Sequence, residues 1–202
     1  MYLVKSPFWL QWLYPSLIWH KSRTRKCIYL TFDDGPIPDV TPFVLKILKT
    51  FNAKATFFCI GDNVRKHPDI FEQVVNEGHR IGNHTFNHLR GWDTRNDVYF
   101  ENVQKCNDLI HSDLFRPPYG RAKKSQYSLL NTQYSTIMWD VLSGDFDQDL
   151  EPEKCLKNVL KHTGNGSIVV FHDSIKAFPR MKYALPKALE IWKNEGYEFG
   201  VL

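Results

Sequence analysis

Residues 28–36 read IYLTFDDGP: an apolar run ends in two carboxylates, Asp33 and Asp34, followed by Gly and Pro. The run predicts a buried β-strand, and the Asp-Gly-Pro chemistry that follows is typical of a turn. Adjacent carboxylates repel each other, so burying both is costly unless a cation compensates them. The stretch therefore indicates a strand whose end serves a polar site, and a metal ion is the obvious cation.

Six further β-rich runs follow, and helical patterns lie between them. The runs are residues 55–60, 80–83, 114–116, 135–142, 167–171 and 197–201. Helices are predicted at residues 42–51, 69–77, 95–111, 123–130, 152–160 and 184–195, with Thr41 as the N-cap of the first. Strands that alternate with helices indicate an α/β fold built on a mainly parallel sheet or barrel.

Polar residues follow the other predicted strands as well. His84 and His88 come after the third strand, Arg116 after the fourth, Asp145 after the fifth and His172 after the sixth. In parallel α/β folds the ligand site gathers at the C-terminal ends of the strands, so we expect these side chains to lie close together. Two histidines four residues apart, with one Asp, form a three-ligand set for Zn²⁺ that leaves a position open for water.

Each of these features also has an ordinary explanation when taken alone. Two histidines at this spacing can be solvated, and Asp-Asp-Gly-Pro can be no more than a turn. His172 could equally be a satisfied interior histidine, Arg116 an ion-pair partner and Asp145 a loop carboxylate. Their joint occurrence at successive strand ends favours a catalytic metal site.

Five ordered segments resemble the motifs of the NodB-type polysaccharide deacetylases, carbohydrate esterase family four. The segments are residues 31–36 (TFDDGP), 84–88 (HTFNH), 116–120 (RPPYG), 139–146 (WDVLSGDF) and 169–173 (VVFHD). The resemblance extends from about residue 28 to the C-terminus in the family's order. It implies a distorted (β/α) barrel with about seven strands, which agrees with the seven runs in the sequence.

The resemblance also implies roles for the residues of the first two motifs. Asp34, His84 and His88 would bind a divalent metal. Zn is the default for such ligands, and Co, Ni or Fe would also be accepted. Asp33 would be the catalytic base, which takes a proton from the water that attacks the acetamide carbonyl.

The resemblance also implies roles in acid and base chemistry for residues of the later motifs. His172 would be the general acid for the leaving amine, Asp145 the carboxylate that orients and charges it, and Arg116 the tether of the base. The backbone N–H of Tyr119 would stabilise the tetrahedral oxyanion.

Tyr119, Phe146, Val170 and Pro118 are the residues expected to contact substrate. The sequence departs from the usual family pattern in this region. Leu142 and Phe146 replace a further acidic residue and a Trp, and Val170 replaces a Leu. Phe146 and Val170 can still wall an apolar pocket for an acetyl methyl group, so we expect the departures to affect the choice of substrate.

The function expected from these observations is metal-dependent removal of N-acetyl groups from amino sugars of a glycan, either peptidoglycan or a chitin-like polymer. One alternative is deformylation or deacetylation of a lipid-linked or small N-acylated sugar. A less favoured alternative is a carbohydrate-binding module that has lost catalysis, since such a module needs neither Asp33 nor His172. A haloacid-dehalogenase-like phosphatase would need its second carboxylate two residues after the first, whereas here the two are adjacent.

The net charge of +4 is unevenly distributed over the 202 residues. Residues 1–28 carry five Lys or Arg and no Asp or Glu, so the remainder sums to −1 and nucleic-acid binding is disfavoured. We predict a basic, Trp-rich extension at residues 1–27 that packs on a catalytic domain at residues 28–202. The favoured interpretation is a cover on the bottom or side of the barrel with its cations in water; the alternative is peripheral membrane contact through residues 1–26.

The four cysteines show no CxxC spacing and are expected to be free thiols. The N-terminal apolar stretch lacks a small-residue cleavage site, and it is shorter than the roughly 20 residues of a transmembrane helix. A cytoplasmic or membrane-peripheral location is therefore expected. No pattern in the sequence indicates an oligomeric state.

Overall fold

The computed structural model describes residues 2–202 and contains one sheet of parallel strands surrounded by helices. The strands are β1 (Cys27–Asp33), β2 (Ala55–Cys59), β3 (Arg80–Asn83), β4 (Leu114–Phe115), β5 (Ser135–Thr136), β6 (Val141–Leu142), β7 (Ile168–His172) and β8 (Glu198–Phe199). The helices are α1 (Phe8–Leu13), α2 (Val40–Thr50), α3 (Gly61–Lys66), α4 (Pro68–Asn76), α5 (Asn96–Ile110), α6 (Lys124–Leu130), α7 (Pro152–His162) and α8 (Phe178–Asn194).

The sheet order is β5-β4-β3-β2-β1-β7-β6, with β8 paired to the start of β1. The central strands are buried almost throughout, as expected for parallel strands with both faces covered. Phe32 of β1 stacks on Phe57 of β2 and on Phe171 of β7, so the core is continuous across the middle of the sheet. This architecture is the predicted distorted (β/α) barrel.

The run at residues 135–142 was predicted as one strand, and this prediction is wrong. β5 and β6 lie at opposite edges of the sheet, and the residues between them cross the gap that separates the two edges. The backbone N–H of Met138 donates to the Ile18 carbonyl, and that of Asp140 to the Ile168 carbonyl. Since these groups find partners outside a continuous strand, an apolar run of strand length does not have to be one strand.

Residues before β1 fill the same gap. The N–H of Ile18 donates to Thr136, and the N–H of Leu142 donates to the carbonyl of Val4, so both edge strands gain backbone partners. These contacts join the N-terminal segment to the barrel near its open edges. The division at residues 27 and 28 stays a prediction, and β1 itself begins at Cys27.

Two helix starts differ from the prediction by two residues or more. α2 begins at Val40, so Thr41 lies inside the helix, where its hydroxyl donates to Asp173 at 2.6 Å and does not cap the helix end. α8 begins at Phe178, with Pro179 in the first turn, where the missing N–H of proline leaves no helical hydrogen bond unmade. The short helices α1 and α3 were not predicted.

All four cysteines are free and buried. None of the helices within residues 2–202 combines the length and the apolar character that a membrane crossing requires.

Candidate active site

The carboxylate of Asp33 ends β1 and is held by a buried arginine. Arg116 Nη1 donates to Asp33 Oδ1 at 2.7 Å and to Thr31 Oγ1 at 2.7 Å. The same guanidinium donates from Nη2 to the carbonyl of Met138 at 2.9 Å. Burial lowers the pKa of Arg116, and Asp33 opposes that effect. Arg116 therefore compensates the charge of Asp33 and fixes its orientation.

Asp34, His84 and His88 form a cluster that could hold a metal ion, with ligand atoms within 4.8 Å of one another. The Nε2 atoms of His84 and His88 lie 3.9 and 3.4 Å from Asp34 Oδ1. That oxygen is buried and has no hydrogen-bond partner. An orphaned carboxylate oxygen facing two imidazole nitrogens fits a divalent cation, which supplies the missing partner.

The protonation states of Asp34, His84 and His88 also favour binding of a metal ion. Burial lowers the pKa of His84 to about 4, and burial also lowers the pKa of His88, so both imidazoles are neutral at pH 7. Burial raises the pKa of Asp34, but His172, His88 and His84 outweigh that effect and hold it below the usual range. His84 Nδ1 lies 2.8 Å from the carbonyl of Arg116, which can only accept, so Nδ1 carries the proton and Nε2 keeps its lone pair.

His172 and Asp145 form a second polar pair beyond Asp34. His172 Nδ1 lies 2.7 Å from Asp145 Oδ1, and the backbone N–H of His172 donates to Asp145 Oδ2 at 2.7 Å. Burial lowers the pKa of His172, but Asp145, together with the charges of Asp34 and Asp33, outweighs it and raises the pKa to about 9. His172 is therefore an imidazolium at neutral pH, able to donate a proton.

Tyr119 lies beside the cluster in the turn after β4. Its ring centroid is 4.7 Å from that of His88, and its backbone has a φ of 60°. Asp34 and His88 also have positive φ, at 91° and 57°. A residue with positive φ directs its backbone N–H and its side chain differently from a residue in extended backbone. These three residues use that conformation beside the site.

The cluster opens into a cavity of about 690 Å³. Among the predicted substrate contacts, Tyr119, Phe146 and Val170 line this cavity, with Leu142 beside them. Pro118 is buried and does not line it. Arg116 and Asp145 are fully buried behind the residues that line the cavity, where they bind Asp33 and His172.

Part of the cavity wall comes from residues that the sequence analysis did not assign to the site. They are Tyr2, Leu3, Ser6, Pro7, Leu10 and Trp19. The favoured interpretation placed the aromatics of this segment on the bottom or side of the barrel with its cations in water; Tyr2 and Trp19 instead line the cavity, and two of the cations form ion pairs. Lys5 Nζ and Arg23 Nη2 bind the buried carboxylate of Asp140 at 2.8 and 2.9 Å.

Asp173 is a second residue at the site that was not predicted from the sequence. Its carboxylate accepts from the backbone N–H of Gly35 at 2.9 Å and from Thr41, and thereby holds the loop that carries Asp34. A Cβ atom on Gly35 would collide with the Asp173 carboxylate, so only glycine fits at that position. The adjacency of Asp173 to His172 is its sole sequence signal, and that signal does not distinguish a loop anchor from an ordinary surface carboxylate.

The parallel barrel, the three-residue cluster that could hold a metal and the two buried carboxylate pairs at its strand ends are typical of metal-dependent α/β hydrolases. Residues 20–135 match the polysaccharide deacetylase family, and the chain belongs to that family. Asp145 and His172 lie beyond the matched segment.

A curated relative and a solved structure extend the likeness over almost the whole chain. The chain is 35% identical over 188 residues to a peptidoglycan-N-acetylglucosamine deacetylase of Bacillus cereus, covering 90% of this chain and 88% of the relative. A crystal structure of a peptidoglycan N-acetylglucosamine deacetylase in complex with 4-naphthalen-1-yl-N-oxidanyl-benzamide superposes with a TM-score of 0.90 at 29% identity, covering 98% of this chain and 95% of that one.

Another similar structure is that of a family four pseudoenzyme from Bacillus anthracis. It has a TM-score of 0.83 and 27% identity, and the match covers 93% of this chain and 70% of that one. The fold is therefore compatible with loss of activity, so catalysis by this chain would depend on its own side chains.

Proposed function

We propose that the protein is a metal-dependent deacetylase that removes N-acetyl groups from amino sugars of a glycan, with peptidoglycan as the first candidate substrate. One observation carries the proposal: the orphaned Oδ1 of Asp34 faces two neutral histidines in a cavity that Asp33, held by Arg116, and His172, held by Asp145, also line. A binding module has no need of a base and an acid beside a metal cluster. The names of the relatives support the choice of glycan.

Asp34, His84 and His88 would hold the metal through one carboxylate oxygen and two Nε2 atoms. We propose zinc, because neutral imidazole and carboxylate ligands with an open position are the usual catalytic zinc set. When bound, the metal would supply a Lewis acid that polarises the amide carbonyl and acidifies water.

Asp33 is the proposed base. Arg116 holds its Oδ1, which leaves Oδ2 to accept a proton from the attacking water. Because the guanidinium also binds the Met138 carbonyl, it is fixed in position and restrains the carboxylate of Asp33, which lines the cavity.

His172 is the proposed acid. Its pKa of about 9 keeps the ring protonated at neutral pH, with Nδ1–H donated to Asp145 and Nε2–H left for the leaving amine. The proposed acid is thus in its proton-donating form at neutral pH, as this hydrolysis requires.

The backbone N–H of Tyr119 is proposed to donate to the oxyanion that forms when water attacks. Phe146 and Val170, together with Leu142, are proposed to enclose the acetyl methyl group, since all three line the cavity. The Phe146 ring also meets the ring of His172 edge-on at 5.3 Å, so the acyl pocket directly adjoins the proposed acid.

The deciding experiment is acetate release from intact peptidoglycan, chito-oligomers and small N-acetyl sugars, with and without a chelator. Formate release from the matching N-formyl sugars tests the deformylase alternative in the same assay. Metal-dependent acetate release from a glycan, abolished in Asp33→Asn, is the expected result. Release from none of these substrates by metal-loaded protein would favour the non-catalytic alternative and overturn the proposal.

A further inference from the structure

Helix α1 exposes an apolar surface. Its six residues include no buried side chain, and Phe8 and Trp12, one turn apart, are 82% and 78% exposed. Trp9 and Leu13 form a second exposed pair at the same spacing. Large apolar side chains grouped in this way on a surface mark a site of interaction.

The surface of α1 is also uncharged. Lys5 is the only Lys, Arg, Asp or Glu in residues 1–20. Its ammonium group points away from α1, towards Asp140 and the carbonyl of His162 at 3.0 Å. The amide of Gln11, the one polar side chain of α1, donates to the carbonyl of Ser6. No charge on this stretch would therefore oppose its transfer into an apolar phase.

The helix adjoins the mouth of the active-site cavity. Pro7 and Leu10 line the cavity from the α1 side, and Leu3, itself 56% exposed, lines it beside them. Apart from the carboxylates and histidines of the catalytic cluster, the charged residues that line the cavity are all cations. They are Arg90, Arg121 and Lys176.

We propose that α1 docks on a lipid bilayer, with its rings at headgroup depth, and thereby brings the mouth of the cavity to the membrane surface. Trp and Phe on an uncharged helix match the amphipathic interface of a bilayer, where indole N–H groups meet headgroups and the rings meet acyl chains. Arg121 and Lys176 of the cavity lining supply positive charge that complements lipid phosphates, whereas Arg90 is already paired with Asp93. This proposal does not depend on the deacetylase assignment, because docking is measured without catalysis.

A glycan chain is the other occupant that exposed aromatic rings could stack against. The patch fits it less well, because Leu3 and Leu13 offer sugars no stacking face and the Gln11 amide is already used within the chain. Sugar recognition requires fixed polar partners for the hydroxyl groups as well as a stacking ring.

The test is flotation of the full chain with vesicles of phosphatidylcholine, alone and with one third phosphatidylglycerol. The protein is expected to float with both, and more strongly with the anionic vesicles. The double variant Phe8→Ser, Trp12→Ser is expected to lose binding by about tenfold or more. The matched control Val98→Ser, Leu109→Ser removes two half-exposed apolar residues of α5 and is expected to float like the unchanged protein.

Three results would overturn the proposal: no flotation of the unchanged protein, equal flotation of the α1 double variant, or equal loss in the α5 control. If the α1 variant instead loses sedimentation with insoluble peptidoglycan while vesicle binding is unchanged, α1 is a glycan-stacking surface. Circular dichroism of each variant establishes that loss of binding is not loss of folding.

Discussion

Arg116 Nη1 lies 2.7 Å from Asp33 Oδ1, and the two side chains are 0% and 4% exposed. The same guanidinium reaches Thr31 on β1 and the carbonyls of Ile137 and Met138 in the segment that crosses the barrel gap. One side chain therefore joins the proposed base to the part of the chain that closes the barrel. The fold and the proposed catalytic site therefore both depend on Arg116.

Arg116→Lys is expected to lower both the stability of the protein and its turnover. Lysine keeps the charge beside Asp33 but cannot reproduce the fork that bonds two carbonyls and a hydroxyl. We expect a loss of about 1–3 kcal/mol in the free energy of unfolding, measured with urea. Arg95→Lys, at an exposed ion pair with Asp97, is the matched control and should change neither quantity. Equal stability and turnover in both variants would contradict the role given to the fork.

Asp33→Asn is expected to retain the metal and to lose activity by a factor of about 10² or more, as for other general bases. The amide keeps the size of the carboxylate but cannot take a proton from water. Metal content and acetate release are measured on the same sample. A fully active variant would remove Asp33 from the role of base.

Asp34→Ala and His84→Ala are each expected to lower bound metal and activity together. Either change removes one of the three proposed protein ligands. Metal analysis after dialysis against dilute chelator, alongside acetate release, makes the comparison. The control is Asp62→Ala, at a carboxylate paired on the surface with Arg65. Full metal occupancy with unchanged turnover in either ligand variant would refute the metal assignment.

Asp145→Asn is expected to move the alkaline limb of the activity profile to lower pH. The acid must be protonated, and the pKa of His172, near 9, keeps it so through neutral pH. Without the charge of Asp145, burial lowers that pKa, so His172 loses its proton at a lower pH. The measurement is kcat/KM for acetate release against pH, with Asp149→Asn on the same loop as control. An unchanged limb would show that it belongs to another group.

Asp140→Asn is expected to loosen the N-terminal segment. Burial raises the pKa of Asp140, but Lys5, Ser167 and Arg23 outweigh it and hold the pKa below the usual range. The carboxylate therefore contributes stability above its unfolded pKa, and this is lost as the pH falls through the lower folded value. The expected loss at neutral pH is about 1–3 kcal/mol.

Urea unfolding at neutral and acid pH measures that loss, and hydrogen exchange over residues 4–23 locates it. The difference between the unchanged protein and Asp140→Asn should shrink in acid, because both then lack the charge. A difference that persists undiminished in acid would point to packing and away from the ion pairs.

The sequence predicted which residues meet at the candidate site more fully than it predicted the path of the chain. The ends of the apolar runs can be located from local sequence, and ligand sites lie at the carboxyl ends of parallel strands. Parallel pairing of β1 and β7 then brings Asp33 and His172 side by side in register. Which strands are neighbours is a non-local property, so the run at residues 135–142 could not reveal that its two ends occupy opposite edges.

The position of the N-terminal segment could not be predicted from the sequence either, because its contacts are also non-local. Its cations are visible in the sequence, but their partner Asp140 lies 135 residues away from Lys5 and has no local marker. Asp173 likewise became recognisable only when the turn at Gly35 was seen against it. Long-range partners of single charges require the folded chain.

The left-handed backbone at Asp34, His88 and Tyr119 has a consequence for engineering. A side chain held at positive φ destabilises the folded state by about 1–3 kcal/mol compared with a relaxed backbone, and glycine would relieve much of it. Glycine at any of these positions is therefore expected to raise thermal stability, but it would remove a proposed metal ligand or reshape the turn beside it. Selecting variants for thermal stability alone would therefore lower activity. A search for thermostable variants should keep these three residues unchanged.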